Sequence, residues 1–402
     1  MNFENIRRGS GLIKRAGVHF IALADRVAFQ MLPSPRPMAG RVLLIRLDDI
    51  GDFVIWLDAA REIRRLYPRG QFELTLAANA IWAPLAEVSG LFDHVVPISV
   101  NRFLGNPRYR FQTMEDIRRG QYSMVIHATS NRRYYDSVLV AAAAAPMSMG
   151  HCGEERQEWP AIVRNTDRWY SLLIDGGNLH YSEFEKNAEL VRALGNSNFI
   201  PATPILDISG KSPSAELKCF DGRSAFYILF PGAKDAYRRW PPERFAQVAM
   251  EIFRQTQWPG VICGSTGDAQ IAQTIVNFAK ETPLVNFAGK TSLVDLAILI
   301  SHARLIVTND TGASHIAAAV GTPTVTILGG GQFGRFMPYP NRADPAQQPA
   351  YVTHPMDCFG CNWHCKYSNK PGAPMPCIDR VAVEDAMVQI EPIIKAHTSA
   401  TV

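Results

Sequence analysis

The strongest constraint on the fold is a repeated alternation of short apolar runs with helical patterns. Val42–Leu47 is apolar except for Arg46, and a helical pattern follows it over Phe53–Tyr67. Apolar runs of this kind are typical of parallel strands that are buried beneath helices on both faces. The alternation continues as far as Met124–His127, so we expect an open α/β sheet in this part of the chain.

A second alternation begins at Phe226–Phe230 and runs to Thr324–Leu328, after a segment rich in Pro, Ser, Gly and Asp. Ser292 and Asp295 form a capping-box pattern at the start of one of its helices. We therefore expect two α/β domains, with the active site in the cleft between them, outside the carboxyl ends of the strands. The predicted division is a leader and linker over 1–40, an N-terminal domain over 41–205, a C-terminal domain over 222–380 and a C-terminal helix over 381–402.

Composition limits the classes of function. The chain has 402 residues, of which 47% are hydrophobic, and this is enough to bury two cores. Its formal net charge of +4 is too small to indicate a nucleic-acid-binding protein. The surplus is nevertheless uneven, because the first thirty residues contain few acids beside Arg7, Arg8, Lys14, Arg15 and Arg26.

The N-terminal region contains an apolar run, Val18–Leu23, and Asp25 and Arg26 separate it from the apolar residues that follow. The run is far shorter than the roughly 20 residues that a membrane span needs. A signal peptide is disfavoured because the apolar core is short and contains His19. Two interpretations stay open: a basic amphipathic helix on an anionic membrane surface, and a helix packed on the protein itself. We expect a cytoplasmic protein.

The first candidate motif is RLDDIGD, Arg46–Asp52, where the first strand turns into a helix. A carboxylate at this edge of a parallel sheet faces the region where ligands bind. Gly51 allows a tight turn or a close approach to a ligand. The local pattern favours Asp52 as the N-cap of the helix. Asp48 and Asp49 could equally be solvated loop acids, so their role stays open.

The second motif is FPGAKDAYRRWPPERFA, Phe230–Ala246, in which Lys234, Arg238 and Arg239 precede a helix that starts at a Pro-Pro pair. Cations beside a helix N-terminus suit a phosphate or diphosphate, because charge and backbone N–H groups favour the same ligand. The alternative is a surface loop whose arginines meet water or acids. The packing of three cations into this turn favours anion binding.

The third motif is TNDTGASHIAAAVGTPTV, Thr308–Val325, with Asp310 at another strand-to-helix turn. Thr311, Gly312 and Ala313 can offer backbone donors to a phosphate. His315 is expected about one helical turn inside, where it could orient or neutralise the phosphate. A lone histidine in a helix is more often structural, but the neighbouring Asp-Thr-Gly favours a ligand.

The fourth motif is a C-terminal group of cysteines. Its spacing predicts a tetrahedral zinc or iron site with a structural role rather than a disulfide. The four proposed ligands of this metal site are Cys358, Cys361, Cys365 and Cys377.

No G-x-G-x-x-G follows the first strand, and this disfavours a nicotinamide-dependent oxidoreductase.

Taken together, the first three motifs resemble those of the glycosyltransferase family 9 heptosyltransferases. The resemblance extends from Arg41 to about Gly329 and is strongest in RVLLIRLDDIGDFVIWLDAAREIRRLYP, in FPGAKDAYRRWPPERFAQVA and in the block from FAGKTSLVDLA to GTPTVTILG. It implies a GT-B fold with two Rossmann-like domains facing across a cleft. It also implies transfer with inversion at the anomeric carbon and without a metal.

The resemblance also implies roles for individual residues. Asp52 matches the family's general base, so its interpretation changes from a cap to a base. Arg238 or Arg239 takes the place of a cation that contacts the donor phosphate. The donor-diphosphate loop corresponds to Asp310, Thr311, Gly312 and His315, and the implied donor is ADP-heptose or a similar nucleotide sugar.

The implied acceptor is a hydroxyl of the lipopolysaccharide core or of another surface glycan. The leader and the cysteines are additions to the family pattern: the leader suggests peripheral contact with the inner membrane, and some relatives that glycosylate autotransporter proteins hold iron with C-terminal cysteines. A protein acceptor therefore stays open. So does a non-catalytic nucleotide-sugar-binding protein, although the intact Asp52 argues against it.

Overall fold

The computed structural model describes residues 11–153, 163–175, 182–340, 348–367 and 372–399. The chain divides into two compact units. Unit 1 consists of Met1–Asp49, Ala59–Leu179 and Lys186–Ile200, and unit 2 consists of Ile50–Asp58, His180–Glu185 and Pro201–Val402. Both units have the expected α/β architecture.

Unit 1 is built on a six-stranded parallel sheet in the order β3-β2-β1-β4-β5-β6. Leu43, Leu44 and Ile45 of its central strand are 0% exposed, as the apolar run predicts. The strand order reverses between β1 and β4, the point where open α/β sheets bind ligands. The strands are β1 Met38–Arg46, β2 Glu73–Asn79, β3 His94–Ile98, β4 Tyr122–His127, β5 Met147–His151 and β6 Leu172–Ile174.

The helices in the first half of the chain alternate with these strands. They are α1 Gly11–Met31, α2 Ile50–Leu66, α3 Ala83–Val88, α4 Val100–Gly105, α5 Pro107–Arg119, α6 Tyr134–Ala143 and α7 Glu183–Ala193. Helix α2 begins at Ile50 with Asp49 at its N-cap, so the local prediction of Asp52 as the cap is wrong. Asp52 lies inside the first turn, and Ile50–Asp58 groups with unit 2.

Unit 2 repeats the same topology, with its sheet in the order β12-β11-β10-β7-β8-β9. The strand order here reverses between β7 and β10. The strands are β7 Tyr227–Phe230, β8 Gly260–Ile262, β9 Leu284–Asn286, β10 Leu305–Asn309, β11 Thr324–Ile327 and β12 Ala350–Val352. The helices are α8 Pro242–Thr256, α9 Ala269–Phe278, α10 Leu293–His302, α11 Gly312–Val320, α12 Pro376–Asp379 and α13 Val383–Ser399.

Two local features of unit 2 bear on the sequence analysis. The cap predicted for α10 is confirmed, because the Ser292 hydroxyl accepts a hydrogen bond from the Asp295 backbone N–H at 3.0 Å. The Pro- and Ser-rich segment after residue 200 is attached to unit 2, where the Leu206 N–H donates to the Ala319 carbonyl at 2.8 Å.

Helix α1 packs on unit 1 through a buried ion pair. The Asp25 carboxylate is 2% exposed and accepts hydrogen bonds from Arg110 Nε and Nη2, both at 2.7 Å, and from the Tyr134 hydroxyl at 2.8 Å. The Phe29 ring meets the Trp169 ring edge to face at 5.8 Å. The interpretation of this region as a helix packed on the protein itself is therefore confirmed.

The helix also carries an exposed apolar face. Leu23, Val27 and Met31 follow one another by one helical turn and are 52–68% exposed. Peripheral contact between this face and a membrane stays a prediction. Within the described ranges, no helix has both the length and the apolar character that a bilayer span requires.

Candidate active site

The candidate site lies at the carboxyl ends of β7 and β10, where the strand order of unit 2 reverses. Asn309, at the end of β10, fastens the two following loops together. Its Nδ2 donates to the Pro231 carbonyl at 2.7 Å, and its Oδ1 accepts from the Trp240 N–H at 3.0 Å. Because Asn309 is fully buried, these bonds fix the position of the basic loop beside the Asp310 turn. The sequence pattern did not indicate this role of Asn309.

Arg238 connects the basic loop with the Asp310 turn. Its Nη2 donates to the Asp310 carbonyl at 2.9 Å and to the Asp310 carboxylate at 3.2 Å. The Arg238 side chain remains 20% exposed. Its Nε is buried and has no acceptor among the described residues. One edge of the guanidinium is thus held by the protein, while the side chain stays partly exposed and its Nε has no partner among the described residues.

Arg239 has a different role from Arg238. Its Nε and Nη2 donate to the Ala233 carbonyl at 3.0 and 2.8 Å, and its Nη2 lies 3.7 Å from Asp268 Oδ1. These contacts close the basic loop on itself. Lys234 is exposed on the same loop. Both arginines do meet acids, as the alternative interpretation expected, but only Arg238 contacts the Asp310 turn.

The N-terminus of α11 supplies backbone donors. Thr311 is the N-cap, and its hydroxyl accepts from the Ala313 N–H at 3.3 Å. The Ala313 N–H is therefore already used, contrary to the expectation that it serves a phosphate. The N–H groups of Thr311 and Gly312 meet no acceptor in the part of the chain that the structure describes. Two open amides at a helix N-terminus favour an anion.

His315 lies one turn inside α11 and is 3% exposed. Its Nδ1 is 2.8 Å from the Tyr339 hydroxyl, and the two rings are stacked with centroids 5.8 Å apart. Burial lowers the pKa of His315 to about 4, although the Asp310 carboxylate opposes the shift. A neutral imidazole favours orienting a phosphate by a hydrogen bond over neutralising one, and the contact of His315 with a phosphate stays a prediction.

Two glycines bring the first turn of α2 against α11. A Cβ atom on Gly51 would lie 2.9 Å from His315 Cδ2, and a Cβ atom on Gly312 would lie 2.9 Å from Ile50 Cβ. Any larger side chain at either position would separate the two helix starts. Asp52 follows Gly51 directly and is half-buried. The structure therefore brings the turn that carries Asp52 beside the turn that carries Asp310 and His315.

The four cysteines lie in the same unit. Cys358, Cys361 and Cys365 are partly buried and Cys377 is buried, with its sulfur accepting from the Gly330 N–H at 3.4 Å. Within the described residues, no three His, Cys, Asp or Glu side chains form a group that could hold a metal ion. The zinc or iron site stays a prediction from spacing.

Comparison with known proteins agrees with these motifs. The family model described as glycosyltransferase family 9 (heptosyltransferase) matches residues 110–355. The chain belongs to glycosyltransferase family 9. Among curated relatives, lipopolysaccharide heptosyltransferase 2 of Salmonella typhimurium is 34% identical over 316 residues, which are 72% of this chain and 82% of that protein.

Solved structures show the fold of this family 9 enzyme. A family 9 glycosyltransferase from Veillonella parvula superposes with a TM-score of 0.67 at 17% identity, covering 90% of this chain and 99% of that one. The E. coli heptosyltransferase WaaC with ADP-2-deoxy-2-fluoro heptose gives a TM-score of 0.60 at 15% identity, covering 88% and 99%. The fold is GT-B, and the chain is a glycosyltransferase.

Unit 1 of the family 9 chain has buried charges at its own reversal point. Asp48 is 7% exposed, and both its oxygens face Arg46, with Nη2 to Oδ2 at 2.8 Å. Burial raises the pKa of Asp48 to about 6. Of the two interpretations left open for Asp48, that of a solvated loop acid is wrong, because its carboxylate is buried against the Arg46 guanidinium.

A second buried carboxylate lies nearby. Burial raises the pKa of Asp136 to about 7, and its Oδ2 lies 3.8 Å from His127 Nε2. His127 Nδ1 is 2.7 Å from the Tyr170 hydroxyl, which also contacts the Ser137 hydroxyl at 2.9 Å. No sequence motif indicated a role for any of these residues. Charged and polar types at the end of strand β4 and at the start of α6 are the signal that could have indicated them.

Proposed function

We propose that this enzyme transfers a heptosyl group from ADP-heptose, or a closely similar nucleotide sugar, to a hydroxyl of the lipopolysaccharide core, with inversion at the anomeric carbon. Family membership and the lipopolysaccharide heptosyltransferases among its relatives support this proposal. The E. coli relative that binds a fluorinated ADP-heptose supports the choice of donor.

The observation that carries the proposal is the arrangement of donors around the Asp310 turn. Arg238 supplies a cation and the Thr311 and Gly312 amides supply N–H groups, all at the start of one helix. Such a group of donors suits the diphosphate of the nucleotide sugar. The same donors also stabilise the negative charge that grows on the diphosphate as its bond to the sugar breaks.

The acceptor side of the reaction needs a base. In the proposal, the Asp52 carboxylate accepts the proton of the acceptor hydroxyl as the hydroxyl oxygen attacks the anomeric carbon. The contact of Gly51 with His315 supports this role, because it holds the first turn of α2 beside the diphosphate donors. The bond from the anomeric carbon to the diphosphate breaks as the new glycosidic bond forms.

Replacing Asp52 tests the proposal. We expect Asp52→Asn to lower the rate of sugar transfer by roughly 10²- to 10⁴-fold, because the amide cannot take the proton. Binding of ADP should be unchanged. Transfer is measured as ADP release from ADP-heptose in the presence of a heptose-deficient lipopolysaccharide core, and in parallel with a protein acceptor.

Asp49→Asn is the matched control, since Asn is as good an N-cap as Asp and the residue precedes the same helix. It should retain transfer. A fully active Asp52→Asn variant would remove Asp52 from the role of base. Failure of the wild-type chain to release ADP with any acceptor would instead favour a non-catalytic binding protein.

A further inference from the structure

The segment that carries three of the cysteines packs its aromatic rings on bare backbone. We refer to Asp357–Tyr367 as the Cys segment. A Cβ atom on Gly330 would lie 2.2 Å from the Phe359 ring, and a Cβ atom on Gly331 would lie 2.4 Å from the Trp363 ring. The Gly329–Gly331 run after β11 is therefore free of side chains because two rings of the Cys segment occupy that space.

Backbone hydrogen bonds attach the Cys segment to the same glycines. The Gly360 N–H donates to the Gly330 carbonyl at 2.8 Å, and the Asn362 N–H donates to the Gly331 carbonyl at 2.7 Å. Asn362 and Trp363 both adopt positive φ angles, of 48° and 64°. This conformation is unfavourable for a bulky residue such as Trp. The backbone hydrogen bonds of Gly360 and Asn362 hold Trp363 in this conformation, and the conformation sets the position of its indole ring.

The Trp363 indole lies against the donor site. The Arg238 guanidinium carbon is 5.0 Å from the centroid of the indole ring, within the range of a cation–π contact. Arg238 is thus held on one edge by Asp310 and on its face by Trp363. These two contacts fix the plane of the guanidinium.

We propose that Trp363 is a positioning residue of the donor site, and that the Cys segment serves to carry it there. The inference rests on the proposed function, since it takes the diphosphate of the nucleotide sugar as the ligand of Arg238. Trp363 acts through Arg238 and keeps its guanidinium oriented towards the diphosphate. The Arg238 side chain is therefore already ordered before the ligand binds and loses less conformational entropy on binding.

The test is the affinity for ADP, measured by isothermal titration calorimetry on the full chain. We expect Trp363→Leu to weaken ADP binding by roughly 3- to 30-fold, the range of a cation–π contact. Trp363→Phe keeps a stacking ring and should remain within about 3-fold of the wild type. Phe359→Leu is the matched control, because Phe359 packs on Gly330 in the same segment, and it should bind ADP as the wild type does.

A double-mutant cycle separates positioning from a general structural role. In an Arg238→Met background, Trp363→Leu should cause no further loss of ADP affinity. Equal losses with and without Arg238, or wild-type affinity in Trp363→Leu, would overturn the inference. A wild-type chain that binds no ADP would contradict the proposed function itself, so the two failures are distinguishable.

Discussion

The two sheets of this enzyme have the same strand order but use their reversal points differently. In unit 1 the Arg46 and Asp48 side chains at this point are buried and pair with each other. In unit 2, Arg238 is paired on one edge only, and the Thr311 and Gly312 amides have no acceptor among the described residues. Topology thus sets where a ligand can bind, while the donors that the protein leaves unsatisfied decide which ligand binds.

The two units also contain similar histidine–tyrosine pairs in different surroundings. His127 in unit 1 and His315 in unit 2 both stack on a tyrosine and share a hydrogen bond between Nδ1 and the tyrosine hydroxyl, at 2.7 and 2.8 Å. His127 is surrounded by buried polar groups of unit 1. The ring of His315 instead touches the helix start that carries Asp52. The same pair of side chains therefore supports the interior in one unit and the proposed active site in the other.

Replacing one arginine in each unit gives the largest expected difference. Arg46→Met leaves Asp48 buried without its partner, so we expect a loss of about 3–5 kcal/mol in the free energy of unfolding. Arg238→Met should cost less than about 1 kcal/mol, because its side chain is partly exposed. It should weaken ADP binding by roughly 10- to 100-fold, since a charge-assisted hydrogen bond is lost.

Urea unfolding and calorimetric titration with ADP measure the two effects on the same proteins. The proposed difference between the two arginines would be contradicted if Arg238→Met destabilised the chain as much as Arg46→Met. It would also be contradicted if Arg46→Met had the same free energy of unfolding as the wild type. A conservative Arg238→Lys variant, which keeps the charge but not the forked donor, should fall between Arg238→Met and the wild type in ADP affinity.

The buried carboxylate of unit 1 predicts a dependence of stability on pH. The pKa of Asp136 in the folded chain is about 7, above its ordinary value of 3.8, so the folded state binds the proton more tightly than the unfolded state. The free energy of unfolding should therefore fall as the pH rises from about 4 to 7, by up to about 4 kcal/mol. In Asp136→Asn this contribution disappears and the profile becomes flatter.

Unfolding by urea at a series of pH values checks this prediction. Parallel profiles for the wild type and Asp136→Asn would contradict it, because they would show that ionisation of Asp136 does not lower the free energy of unfolding. ADP affinity over the same pH range supplies the contrast between the units. With its pKa near 4, His315 stays neutral over most of that range, so its own titration should not weaken ADP binding between pH 5 and 7.

The sequence predicted the features of this enzyme that depend on residues close together in the chain, and it missed those that depend on contacts between distant residues. The two sheets and the loops after β7 and β10 were predictable, because apolar periodicity and turn residues are local signals. The inward turn of Arg46 and Asp48 was not, since it depends on Ala128 and Asn187 from other elements. Trp363 was missed for the same reason. The Gly329–Gly331 run was a usable signal, because glycines after a strand often mark a close approach.

The smallest expected effect compares the two tyrosines. Tyr339→Phe removes the hydroxyl at His315 Nδ1, so the imidazole loses the contact that selects its tautomer. We expect ADP affinity to fall by roughly 3- to 10-fold, the value of one neutral hydrogen bond. Tyr170→Phe is the matched control in unit 1 and should lower stability by about 1 kcal/mol without changing ADP affinity. Nitrogen NMR of the two histidines reports the tautomers directly. If Tyr170→Phe weakened ADP binding as much as Tyr339→Phe, the two histidine–tyrosine pairs would not have the separate roles assigned to them.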